Sequence, residues 1–118
     1  MLSGLAAERL APVGSEAAAM IRAGDLLSWR ARLQRRAGRP AAAREDFSRA
    51  LELYRRANLA VSLRASMLLL DLASLAAEEG DRTSAAEHVA AARAASDMPL
   101  LVEDIVRARP ELAALAGP

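Results

Sequence analysis

Apolar positions recur at three- and four-residue intervals along the chain, and no segment alternates apolar and polar side chains long enough to form a strand. The pattern predicts helices throughout. Met1 to Ala11 places Leu2, Leu5 and Leu10 near one face of a short helix that Pro12 and Gly14 are expected to end. Ser15 then suits the N-cap of a helix from Glu16 to Ala37, because its hydroxyl can accept a first-turn N–H. Gly24 interrupts that helix at a cost of about 1 kcal/mol relative to alanine, and Asp25 offers a second start. After Gly38 and Pro40, Ala43, Phe47, Ala50, Leu51 and Tyr54 form one stripe, with Arg44, Glu45, Arg49 and Glu52 outside it. Asn58 is a second left-handed stop. From Leu59 to Glu79 two apolar stripes run side by side, Leu59, Leu63, Met67, Leu70 and Leu69, Leu72, Ala73, Ala76. A helix apolar on two sides is packed on two sides, so this segment is expected to be the most buried. Gly80 and Asp81 make a turn before Ala85–Ser96, which keeps Ala85, Val89 and Ala92 inward. Pro99–Ala108 and Glu111–Ala116 complete the helices, separated by Pro110.

The pattern repeats. Gly38, Ala43, Phe47 and Ala50 stand 42 residues before Gly80, Ala85, Val89 and Ala92. Laying Glu16–Arg39 over Asn58–Asp81 also pairs Leu26 with Leu68, Leu27 with Leu69, Ala31 with Ala73 and Leu33 with Leu75. This spacing of a turn glycine followed by small residues resembles the second half of a tetratricopeptide repeat (TPR). The resemblance implies an all-α fold in which antiparallel helix pairs stack as a short right-handed TPR-like solenoid. It divides the chain into an N-terminal cap (1–14), two repeats (15–57 and 58–97) and C-terminal capping helices (98–118). The 42-residue period is longer than the 34 of the standard repeat and is similar to variants in large bacterial transcriptional activators. Arg30 and Gln34 replace Leu72 and Ala76 of the second unit, and Arg55 stands where such repeats often carry proline.

Composition excludes several chemistries. There is no cysteine, and the single histidine, His88, has no second imidazole one turn away, so neither a metal site nor a cofactor is expected. Acid pairs such as Glu78 with Glu79 and Glu103 with Asp104 are adjacent on helices and point apart, which is unsuitable for paired acid–base work; the chain is read as a non-enzyme. No membrane span and no signal segment is found, giving a cytoplasmic, bacterial setting as the default expectation.

All 16 basic residues are arginine. From Arg30 to Arg64 ten arginines face three acids, a net of +7, whereas residues 65–118 carry four basic and nine acidic groups, a net of −5. Nucleic acid is not favoured as a partner, since lysine, interleaved aromatics and any recognisable binding motif are missing. In the TPR-like reading the first helix of each pair lines a concave partner-binding face. That face comprises Ser28, Trp29, Arg32, Arg35 and Arg36 from the first unit and Met67, Leu70, Asp71 and Ser74 from the second, beside Asp25 and Glu78. Arg32, Arg35 and Arg36 crowd one helix face, and either an acidic peptide or internal pairing with Glu45, Asp46 or Glu78 relieves them. Trp29 is either an exposed anchor or a filler between helices. The expected function is protein–protein interaction, as an adaptor or regulatory part of a signalling or transcription system, and the alternative is a homodimerisation module driven by the charge division.

Overall fold

The computed structural model describes residues 2–116, with side chains from residue 15 to residue 115. Among the described residues the chain is all-α, in six helices: α1 Leu2–Arg36, α2 Pro40–Arg56, α3 Leu63–Glu78, α4 Arg82–Ala94, α5 Pro99–Ala108 and α6 Pro110–Ala116.

Local chemistry sets the helix ends. Gly38 (φ 74°) and Gly80 (φ 81°) take the left-handed conformation expected of them, and Asn58 (φ 63°) does the same without being glycine. Each closes its helix with the same pair of bonds. At Gly38 its own N–H donates to the Arg35 carbonyl and that of Arg39 to Gln34; Asn58 with Leu59 and Gly80 with Asp81 repeat the arrangement. Pro40 and Pro99 begin α2 and α5, where a missing N–H costs nothing. Asp81 caps α4 by accepting the Ser84 N–H at 3.0 Å.

α4 runs from Arg82 to Ala94, three residues earlier at its start than the expected Ala85–Ser96, and two other boundaries differ more. α1 runs unbroken through Pro12 and Gly14, where an end was expected, and through Gly24, as the single-helix reading of Glu16–Ala37 has it; proline removes one ladder bond and bends a helix without obliging it to stop. The packing of Leu2, Leu5 and Leu10 lies outside the described side chains. α3 starts at Leu63 rather than Leu59, because Ser62 has extended backbone and its hydroxyl accepts the Ala65 N–H at 3.1 Å. The Ser62 N–H donates to Ala95, fastening this loop to the end of α4. At 16 residues α3 is therefore much shorter than α1, at 35, and the two are not matching six-turn helices.

Packing follows chain order. Arg30 reaches Asp46, and Gly24 lies against the Tyr54 ring, so α1 and α2 are antiparallel. α2 packs on α3 and α3 on α4, and among the described residues α1 and α4 make no comparable packing, so the helices lie in an open row. α5 and α6 cover the α3–α4 end. α3 is the most buried helix, as expected, with Leu68 to Ala76 enclosed without a break. Positions 42 residues apart on α2 and α4 are alike in burial: Ala43 and Ala85, Phe47 and Val89, and Ala50 and Ala92 are all buried. Ala31 and Ala73 are fully buried too, where small side chains allow helices to approach closely.

Candidate functional site: the groove between α1 and α3

α1 and α3 run parallel, joined by ion pairs rather than by close backbone packing. Asp25 accepts from Arg64 at 3.0 and 3.2 Å, Arg32 meets Asp71 at 3.4 Å, and Arg35 pairs with Glu78. The offsets in these three pairs, 39, 39 and 43 residues, bracket the sequence period. Long arginine side chains span the gap and leave a groove on either side of Arg32.

The upper part has a volume of about 550 Å³ and is walled by Trp29 and Ser28 of α1, Leu63, Met67 and Leu68 of α3, and Leu59 and Tyr54 beneath. Its mouth is charged. The Tyr54 hydroxyl donates to Asp25, and Arg64 holds the same carboxylate from outside. Partial burial pushes the Asp25 carboxyl up, but Arg64 and Tyr54 together outweigh that and hold it below the usual carboxylate range. Burial first, and then the hydrogen bond to Asp25, raise the Tyr54 phenol. The lower part, about 490 Å³, is lined by Arg32, Arg35, Arg36 and Arg109 against Asp71 and Glu78. Four guanidiniums facing two carboxylates leave an excess of positive charge. Asp71 is almost wholly buried, and Arg109, at the end of α5, reaches it at 3.0 Å and Ser74 Oγ at 3.1 Å. Ser74 in turn donates to Glu111 at 3.4 Å.

The residues expected on this face divide into two groups. Trp29 is 67% exposed, settling its two readings in favour of the open surface. Arg32 and Arg36 are exposed, and Arg35 and Met67 half-buried. Ser28, Leu70, Asp71 and Ser74 are buried: Ser28 bonds back to the Gly24 carbonyl at 2.8 Å, Leu70 is in the core, and Asp71 and Ser74 form the floor on which the arginines rest. Of the internal pairings considered for the arginines, Glu78 takes Arg35, while Asp46 takes Arg30 at 2.5 and 2.8 Å, and the hydrogen bonds from Arg30 hold the Asp46 carboxyl below the usual range. Arg36 has no ion pair among the described residues.

Arg109 and Arg64 complete the groove and were not singled out from the sequence, and Leu63, expected on an apolar stripe of its helix, was not expected on this face. Arg109 sits 38 residues from Asp71, and no local pattern joins them. Among the described residues no group of three His, Asp or Glu side chains is arranged to hold a metal, and no helix is long and apolar enough to cross a membrane. No protein-family model, curated protein or solved structure gives a significant match to this chain.

Proposed function

We propose that the chain is a non-enzymatic protein-interaction module, an adaptor or regulatory part of a signalling or transcription system, that holds an acidic peptide segment in the α1–α3 groove. In this reading α1–α2 and α3–α4 are two TPR-like units stacked side by side, with α5 and α6 as the terminal cap. One observation carries it: an apolar wall containing a largely exposed tryptophan runs directly into an arginine-rich floor, with Arg32 at the junction. A ligand with apolar side chains beside carboxylates matches both halves, since Trp29 offers contact area and the guanidiniums offer paired N–H donors.

Reversing Arg32 or Arg35 would set glutamate against Asp71 or Glu78 and disturb the fold, so the clean probes are elsewhere. Leu63→Glu places a negative charge at the groove mouth on a first-turn position where acids are favoured, and Arg36→Glu reverses the unpaired arginine. Peptides selected from a displayed library are expected to be acidic with apolar anchors, and each variant is expected to weaken them about tenfold or more with helicity unchanged. A selection that yields no acidic ligand, or one indifferent to both substitutions, would refute the proposal.

A further inference from the structure

The α3–α4 end of the row is covered by α5 and α6, but among the described residues no helix packs on the outer side of α1. On it Leu26 is 72% exposed and Leu33 50%, flanking Trp29, with Arg22 and Arg36 one turn beyond at either end. These five residues, spaced four, three, four and three apart, form a single stripe about 21 Å long at 1.5 Å per residue. The 42-residue equivalence maps them onto Arg64, Leu68, Asp71, Leu75 and Glu78 of α3. That α3 stripe is the side turned towards α1: Arg64, Asp71 and Glu78 meet Asp25, Arg32 and Arg35, and Leu68 and Leu75 are buried. The same surface is thus used twice in the chain, seated in one copy and open in the other.

We infer that the outer face of α1 docks an amphipathic helix of another protein, apolar at its centre and acidic at both ends. The face itself sets that pattern, with Leu26, Trp29 and Leu33 central and Arg22 and Arg36 terminal; in the α3 stripe the ion pairs alternate with Leu68 and Leu75, and one of them, Asp71 with Arg32, is central. Charge selects the occupant. Arg22 and Arg36 have no ion pair among the described residues, and Arg30, beside Leu26 and Leu33, adds to the positive field although it pairs with Asp46. A second copy presenting its own α1 sets arginine against arginine whichever way it runs, which opposes association. An acidic-ended helix meets the same groups with attraction. The inference rests on the chain being a partner-binding module, but its leucines, Leu26 and Leu33, lie outside the groove, which shares only Trp29 and Arg36 with this face.

Trp29 is the only tryptophan and borders both this face and the groove, so its emission reports binding at either, and the variants tell the two apart. The probe is a synthetic 18-residue helical peptide with leucines on one stripe and glutamates in its first and last turns, compared with a version carrying lysines there. Saturable binding is expected for the acidic version only, weakening with salt. The double variant Leu26→Ser, Leu33→Ser, at exposed positions, is expected to weaken it about tenfold or more. Leu63→Glu is expected to leave it unchanged, which separates this face from the groove. Equal binding of both peptides, no binding of the acidic one, or indifference to the double variant overturns the inference. So does a wild-type dimer in sedimentation that the double variant dissolves, because a second copy would then be the occupant.

Discussion

The ring of Tyr54 lies where a side chain on Gly24 would be: a Cβ built there falls 2.6 Å from Tyr54 Cε1. The glycine that looks like a flaw in α1 is what lets α2 approach, and it positions the Tyr54 hydroxyl to reach Asp25 across the base of the groove. Gly24→Ala gains about 1 kcal/mol of helix propensity but is expected to lose more from overpacking, for a net destabilisation of about 1 to 2 kcal/mol. Urea unfolding measures this, and combining it with Tyr54→Ala is expected to remove the penalty.

Acid should weaken the fold through particular carboxyls. Arg30 holds Asp46 below its ordinary range, Arg93 does the same for Glu103, and for Asp25 the pull of Arg64 and Tyr54 exceeds the upward push of burial. A carboxyl depressed in the folded state contributes stability that is present above its unfolded pKa and lost as pH falls through the folded value. Unfolding free energy is therefore expected to be flat near neutrality and to decline below about pH 4. Asp46→Asn should make that decline shallower. Tyr54, raised by burial and Asp25, contributes with the opposite sign: its share is present below about pH 10 and lost above it.

Arg109 ties the end of α5 to the buried Asp71. Arg109→Ala leaves Asp71 with only Arg32 at 3.4 Å, and removing one partner of a buried charge costs about 3 kcal/mol or more, reduced here because Arg109 is partly exposed. Hydrogen exchange is expected to rise first in α5 and α6. Uniform loss of protection across all helices would show that Asp71 has no special part in holding the cap.

The two turn glycines have open space around them, with nothing within 4 Å of an added Cβ, so the cost of replacing them is conformational alone. Gly38→Ala and Gly80→Ala are each expected to cost about 1 to 2 kcal/mol. Asn58→Gly, at the same kind of corner, is expected to be neutral or slightly stabilising in thermal melts.

Features fixed by a residue and its immediate neighbours were readable in advance. The stops at Gly38, Asn58 and Gly80 and the starts at Pro40 and Pro99 follow from backbone preferences that need no tertiary contact. The start of α3 was less readable, because Leu59 and Leu63 continue the apolar period across a serine whose capping role depends on extended backbone. The groove was legible as a set of faces but not as a surface. Whether Trp29 fills a gap or stands open depends on whether a helix lies beyond α1, and which carboxylate each arginine finds depends on the α1–α3 spacing. Leu26 and Leu33 show the same limit: identical in type to Leu68 and Leu75, they are exposed where those are buried, because only α3 has neighbours on that side.

The central proposal is that the α1–α3 groove holds the partner. Backbone chemical shifts of the labelled protein, followed as a selected acidic peptide is added, test it most directly. Changes confined to Asp25–Arg36 and Leu63–Glu78 are the expected result. Changes centred on the exposed faces of α2 and α4, with Trp29 and Met67 undisturbed, would contradict it.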